Sequence, residues 1–325
     1  MKSAEKALIT WIRNRAKKAD DPAVKVGIGD DCAILRLCPG RQANDTLVTT
    51  DFSLEGIHFR REWHSPHSIG HRCLARGLSD IAAMGGQPVA AFLSLALPKD
   101  LPERWLRDFM RSLLSLAKKY GVTLAGGDTA ESPTGILADI IVVGIVPRGK
   151  AVLRSTARPD DAIYVSGELG GSAAALAELR ENPRRKLKRK DYPRHFFPDP
   201  RIRLGRFLRE KRLASSMIDT SDGLSTDLAH ICEESGVGAE IEAELVPRAR
   251  AGKYRQPVDL DLALHGGEDY ELLFTAPPQK RMPPRIAGVP ITRIGRITRG
   301  KKIFLIQPDS SRQQLSAQGW EHFSK

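Results

Sequence analysis

At 325 residues the chain is long enough for two domains with separate cores, and its 41% apolar and 28% charged content fits a soluble globular protein. Its longest strongly apolar stretch, Ile136 to Val146, is interrupted by Asp139 and too short to cross a bilayer, and Met1 to Lys18 is charged and amphipathic with no cleavage pattern, so neither a membrane span nor a secretory signal is expected. The formal net charge is +12, and the four cysteines (Cys32, Cys38, Cys73 and Cys232) form no CxxC and no disulfide framework, which points to a reducing, cytoplasmic setting.

In chain order, Leu8, Ile9 and Ile12 give an apolar face to an opening helix over Ala4 to Lys17. Val24 to Gly29 leads into Gly29-Asp30-Asp31-Cys32, where two adjacent carboxylates precede an apolar Ala-Ile-Leu run. Such a pair is either a solvated turn or a site for a hard cation, because burying it without a counter-charge is costly. Leu47 to Asp51 reads as a strand ending in a carboxylate. Ser65-Pro66 is an N-cap followed by proline at the first helical position, and the helix is expected to run to Met84 and stop at Gly85-Gly86. Asp80 falls in its last turn, where the helix dipole disfavours an anion and a nearby cation would resolve the conflict. Val89, Ala91, Leu93, Leu95 and Leu97 alternate as one face of a half-buried strand. A second helix over Pro102 to Tyr120 carries Trp105, Phe109, Leu113 and Leu116 at core spacing. A short strand, Val122 to Ala125, then feeds Gly126-Gly127-Asp128-Thr129, and Ile136 to Val146 forms another strand before Pro147.

A polar stretch from Arg148 to Asp161 marks the expected domain boundary, dividing the chain into 1–150 and 151–325. Beyond it, Ala162 to Ser166 reads as a strand, and Gly170-Gly171-Ser172 opens a helix either as a simple cap or as a phosphate-accepting N-terminus. Between Arg180 and Arg194 eight Lys/Arg stand against Glu181 and Asp191, a net +6 and half the chain's total. No aromatic residues interleave with these charges to stack bases, so a solvated surface insertion is favoured over an RNA-binding patch. Arg201 to Arg212 is helical by pattern. Met217-Ile218-Asp219 ends a strand, and Leu224 to Glu234 is a helix closed by Gly236, which sets Asp219 and Asp222 on a strand-to-helix turn. Gly266-Gly267-Glu268-Asp269 precedes a strand over Tyr270 to Thr275, and Ile294–Arg299 and Ile303–Ile306 are short β segments. There is no internal repeat and no GxxxxGK[ST] loop.

Short Asp motifs therefore keep recurring beside apolar runs, and they are expected to converge on one metal-phosphate site. In order, GIGDDCAIL, TTDFSLEGIHF, LSDIAAMGGQP, GGDT, RSTARPDD, IDTSDGLSTDL and GGEDYELLFT resemble the thiamine-monophosphate kinase family, from Gly27 to the terminal Gly319-Trp320-Glu321-His322-Phe323. The resemblance implies an α/β (α+β) chain of two domains with the fold of aminoimidazole-ribonucleotide synthetase, and a homodimer built through the sheet of the N-terminal domain. It implies ATP as co-substrate, several Mg²⁺ ions, and thiamine monophosphate converted to thiamine diphosphate. By position, Asp31, Thr49, Thr50, Asp51, Asp80, Asp128, Asp219 and Asp222 match metal ligands or their neighbours. Gly127, Asp128, Arg154 and Ser221 match ATP contacts, and His58, Glu268 and Trp320 match substrate contacts. One departure is RSTA over Arg154 to Ala157, where RSGA is usual.

Phosphoryl transfer is mostly positioning and charge neutralisation, which carboxylate-held cations supply without a P-loop. The acceptor, a phosphomonoester with a second pKa of about 6, is largely ionised at neutral pH, so no strong general base is expected. Two other readings stand beside this one. The first is a related ATP-using synthetase of the same fold, making selenophosphate or aminoimidazole ribonucleotide; the selenophosphate enzymes usually carry a reactive cysteine or selenocysteine, whereas Cys32 reads as buried. The second is a basic nucleic-acid-binding protein without kinase activity.

Overall fold

The computed structural model describes residues 4–16, 23–36 and 43–320. Its first half runs α1 (Ala4–Ala16), β1 (Val24–Val26), β2 (Ala33–Leu35), β3 (Asn44–Leu54), α2 (Pro66–Ala83), β4 (Gln87–Leu97), α3 (Glu103–Tyr120), β5 (Thr123–Glu131) and β6 (Leu137–Pro147). The second half runs β7 (Ala162–Ser166), α4 (Gly171–Glu181), α5 (Pro193–Phe196), α6 (Ile202–Glu210), β8 (Ser216–Asp219), α7 (Leu224–Ser235) and β9 (Gly238–Glu242). It continues through β10 (Arg250–Ala251), β11 (Gln256–Pro257), α8 (Leu260–His265), β12 (Leu272–Ala276), β13 (Arg285–Ile286), β14 (Val289–Thr298), β15 (Ile303–Ile306) and β16 (Arg312–Gln314). The early strands form one sheet in the order β1-β2-β3-β6-β4-β5, and the later ones a second in the order β16-β15-β9-β14-β7-β12-β8, with β13 beside β14. Both sheets are predominantly antiparallel, with parallel pairing at β4–β5 and β9–β15.

Helix α2 joins the two halves. The Ser65 hydroxyl accepts from the Ser68 amide at 3.3 Å, and Pro66 opens the first turn. The helix is apolar on most of its surface because it packs against α3, β3 and β6 of the first half and against α6 and β8 of the second. Ile69, Leu74, Leu78 and Ile81 share one core with Leu47, Phe109 and Val142, and with Leu208, Met217, Leu272 and Phe274 from beyond the polar stretch. Burial of each such side chain contributes roughly 1.5–3 kcal/mol. The approach of α6 depends on Gly205, where a Cβ would lie 2.0 Å from the Ala82 carbonyl oxygen. A separate core on the other face of the second sheet gathers Ile163, Val165, Ile218, Leu228, Ile231 and Ile294.

Several sequence expectations need correction. Asp51 does not end its strand: β3 continues to Leu54, because all of its eleven residues pair with β6 without a bulge. Val89 does not join Ala91 on the buried face but is 43% exposed, since a bulge between Pro88 and Ala90 shifts the alternation. The Gly126-Gly127-Asp128-Thr129 segment is not a loop after a short strand. It is the middle of edge strand β5, held by parallel pairing with β4. β12 starts at Leu272 rather than Tyr270, because Glu268 and Tyr270 take positive φ angles of 64° and 50° and bend the chain. The apolar face of α1 is uncovered, with Leu8, Ile9, Trp11 and Ile12 all exposed, and the helix is tied to α7 through Arg13–Glu234 at 2.7 Å. The expected solvated insertion is exposed over 182–190 but anchored: Trp63 Nε1 donates to the Pro183 carbonyl, Lys186 Nζ to that of Glu62, and Tyr192 and Phe196 are buried. Lys17, Cys38, Glu321, His322 and Phe323 lie outside the described residues. Among the described residues no helix is long and apolar enough to cross a membrane.

Candidate active site

Three carboxylates from distant parts of the chain meet where α2 passes between the sheets. Asp31 comes from the turn before β2, Asp80 from the last turn of α2, and Asp219 from the end of β8. One oxygen from each lies within 4.8 Å of the others. Alternation along β3 turns Thr49 and Asp51 toward α2. The Thr49 hydroxyl donates to Asp80, and on the preceding residue of α2 the Ser79 hydroxyl donates to Asp219 at 2.6 Å. Arg154 grips Asp31 with Nη2 at 2.7 Å and Nε at 3.1 Å, while its backbone amide donates to Asp30 at 3.2 Å.

Crowding has the expected electrostatic effect. Asp219 is pushed up to about 8 by burial and then by Asp31, and Asp30 to about 7 by burial and Asp31. Burial, then Asp51, Asp219 and Asp31, hold Asp80 well above the usual carboxylate range, and burial raises Asp51 although Arg76 opposes it. Asp51 Oδ2 is buried and makes no hydrogen bond. An all-oxygen donor set, mutually repelling and with one orphaned oxygen, fits a hard divalent cation. Cys32 is 1% exposed, and burial, followed by the nearby aspartates, pushes its thiol well above its ordinary range, which leaves it inert as a nucleophile.

Of these groups Asp51, Asp80 and Asp219 line a cavity of about 940 Å³, with Ser221 and Asp222, whereas Asp31, Thr49 and Arg154 are not among its lining residues. His58, Phe59, Trp63, Glu268 and Trp320 line it elsewhere. The His58 Nδ1 accepts from the Leu54 amide at 3.0 Å. Trp320 is 45% exposed, and its backbone amide donates to the Asp222 carbonyl at 3.1 Å, so the tail reaches the strand-to-helix turn. Glu268 takes a charged hydrogen bond from Arg72 Nη2 at 2.5 Å. Burial alone would raise its pKa, yet Arg72 and Arg76 outweigh that and hold it at about 2.

Thr50, Gly127 and Asp128 are not brought to this cavity. Thr50 points to the opposite face of the first sheet and donates to Asp139 at 2.7 Å. Asp128 stands in register with Ser94, Asp139 and Phe52 across that same exposed face. Gly127 is required there because a Cβ would lie 1.8 Å from the Leu93 carbonyl oxygen.

Sequence reasoning missed Arg72 and Arg76, although their signal was present: with Asp80 they recur every fourth residue, one stripe of α2. It also missed a buried pair of imidazoles. His64 Nε2 lies 2.9 Å from His195 Nε2, and His195 Nδ1 lies 3.0 Å from the Ser172 hydroxyl. Burial, then Arg72, lowers His64 to about 4 and holds His195 well below its ordinary range, so the pair is neutral at pH 7 and joins the two halves by hydrogen bonding rather than charge.

Residues 29–146 match the AIR synthase related protein N-terminal domain, and residues 158–307 the corresponding C-terminal domain. The chain is 41% identical over 321 residues to the thiamine-monophosphate kinase of Escherichia coli (strain K12), covering 96% of this chain and 95% of that one. It is 36% identical over 310 residues to the thiamine-monophosphate kinase of Bacillus subtilis (strain 168), covering 93% and 94%. Among solved structures, AaThiL complexed with AMPPCP and TMP superposes with a TM-score of 0.82 at 32% identity, over 97% of this chain and 96% of that one. The thiamine-monophosphate kinase from Stenotrophomonas maltophilia K279a gives 0.74 at 36% identity, over 96% and 99%. The chain belongs to the AIR synthase related family and, within it, to the thiamine-monophosphate kinases.

Proposed function

We propose that the protein transfers the γ-phosphoryl group of ATP to the phosphate of thiamine monophosphate, yielding ADP and thiamine diphosphate. The observation that carries this reading is the joining, in one cavity, of Asp80 and Asp219, which cluster with Asp31, with the His58, Glu268 and Trp320 wall. Asp31, Asp51, Asp80, Asp219 and Asp222, with Thr49 beside them, would hold Mg²⁺. Bound there, Mg²⁺ supplies Lewis-acid stabilisation of charge on the phosphates. Ser221 and Arg154 are assigned to ATP, and His58, Glu268 and Trp320 to the thiamine moiety, whose cationic thiazolium suits a tryptophan face. Gly127, Asp128 and Thr50, on the opposite face of the first sheet, take no part in this cavity's ATP and metal set. In this division residues 1–150 carry most of the metal ligands and 151–325 complete both substrate sites.

No residue acts as a general base. The acceptor phosphate arrives ionised, and the chain's work is to align it, neutralise it and keep water out. Purified protein with ATP, Mg²⁺ and thiamine monophosphate should form ADP and thiamine diphosphate in equal amounts, with activity abolished by EDTA and restored by Mg²⁺. Equal turnover of free thiamine, or product formation undiminished in EDTA, would sink the assignment.

The homodimer is proposed from the uncovered face of the first sheet, where Phe52, Val89 and Phe92 are exposed. Burying such side chains against a second copy is the ordinary remedy for a patch of this kind. Light scattering at low micromolar concentration should report a dimer, and Phe52→Asp should weaken it. A monomer for the unmodified chain would refute this. A cytoplasmic setting is proposed from the thiols, since Cys32, Cys73 and Cys232 are free and buried; cell fractionation tests it.

A further inference from the structure

Along α2, Arg72, Arg76 and Asp80 lie one above the other, but the two arginines have different surroundings. Arg72 is saturated: it donates to the His195 carbonyl and to Glu268 at 2.5 Å each, and to the His58 carbonyl at 3.4 Å, and its side chain is 5% exposed. It already neutralises Glu268. One turn further on, Arg76 lines the cavity with a side chain 17% exposed, and its Nε is buried without a hydrogen-bond partner. Its nearest acids are Asp51, 3.8 Å from Nε, and Glu268, 3.9 Å from Nη1. Both are close enough to hold the charge and too far to satisfy a donor.

A guanidinium serving only as counter-ion to the aspartates would close on Asp51, whose own Oδ2 is also without a hydrogen bond. Instead the two stay apart, and both residues line the cavity. A guanidinium that closes on neither neighbouring carboxylate, in a partly desolvated wall, matches the oxygens of a phosphate. Arg76 also lies between the two sets of residues, with Asp51 of the metal-binding carboxylates beside its Nε and Glu268 of the thiamine wall beside its Nη1. That is where the phosphate of the acceptor must lie if its thiamine rests against His58, Glu268 and Trp320.

We propose that Arg76 is the phosphate-binding residue of the acceptor substrate, donating to the monophosphate of thiamine monophosphate and orienting it toward the γ-phosphoryl group. The proposal rests on the functional reading above and deepens it. It explains how one cavity admits a cationic heterocycle yet favours its phosphorylated form. The acidic end alone would attract free thiamine, whereas a fixed guanidinium rewards the phosphate.

The test compares the unmodified protein with Arg76→Met and Arg76→Lys by calorimetric titration with thiamine monophosphate and, separately, with thiamine, in Mg²⁺ and without ATP. The hydrogen bonds of a guanidinium to a charged acceptor correspond to roughly 10- to 100-fold in affinity. Arg76→Met should weaken thiamine monophosphate by that factor while thiamine changes by less than about twofold. Arg76→Lys keeps the charge but not the fork, and should fall between, which provides a readout if the Met variant folds poorly. In kinetics the KM for thiamine monophosphate should rise while that for ATP holds. Unchanged monophosphate affinity in Arg76→Lys, or equal losses for thiamine and its monophosphate in either variant, would overturn the proposal and leave Arg76 as a wall or counter-ion. Failure of the unmodified protein to bind or phosphorylate thiamine monophosphate would instead overturn the functional reading, and the proposal with it.

Discussion

Asp80→Asn should reduce turnover by at least roughly 100-fold and at the same time leave the metal-free protein as stable as before or more so. The two effects come from one cause. Asp80 is crowded by Asp51, Asp219 and Asp31 and has burial against it, so without cations its charge is a cost. Asparagine keeps the shape and an oxygen for the Thr49 hydroxyl while removing that charge. Thermal melts in EDTA should show an unchanged or raised midpoint, and the stabilisation produced by adding Mg²⁺ should shrink relative to the unmodified chain. Asp219→Asn should behave alike, since the Ser79 hydroxyl can still donate to the amide oxygen. A metal-free protein that collapses on either substitution would mark these aspartates as structural.

The second large effect is expected at Glu271, which has no exposed surface and takes donors from three directions. Arg201 reaches it through Nε at 2.7 Å and Nη2 at 2.5 Å, Arg194 through Nη1, and the Ser166 hydroxyl donates at 2.5 Å. Glu271→Gln would keep the volume but remove the charge facing two guanidinium groups, leaving Arg201, 10% exposed, with Asp199 at 3.5 Å as its remaining counter-charge. Breaking one side of a buried ion network costs roughly 3–5 kcal/mol. Urea denaturation should register a loss of that size, with Arg194→Met, whose side chain is 24% exposed, losing less. A change below about 1 kcal/mol would mean that solvent reaches the arginines and screens them.

How legible this was from sequence depends on where the determining partner lies. α2 announced itself through Ser65-Pro66 and Gly85-Gly86, and the turn holding Asp219 and Asp222 through a strand end followed by a helix closed at Gly236, because caps and turns are local chemistry. The end of β3 was misjudged because Asp51 resembles a terminator, and only pairing with β6 carries the strand through it. Gly126-Gly127 resembles a break, and only β4 makes it a strand. In the site, the carboxylates were readable since few structural roles suit so many aspartates beside apolar runs. Arg72 and Arg76 were not, because an arginine on a helix is ordinarily a solvated one. What makes these two unusual is Glu268, far along the chain. The His64–His195 pair has the same character, since neither residue carries a local sign of the other.

The two-sidedness of β3 bears on how such a chain can change over time. Thr49 and Asp51 face α2 and the cavity, whereas Thr50 and Phe52 face outward toward Asp139 and its row. Substitution at any one of these positions alters one surface only. Gaining or losing a single residue between Asn44 and Leu54 would exchange the surfaces wholesale, sending Asp51 outward and Phe52 inward. The irregularities fall in other strands: β4 bulges at Val89 against β6, β5 at Ala125 against β4, and β14 at Ile294 against β7. Across relatives, length differences should therefore collect in the loops and at such bulges, with β3 varying in letters but not in count.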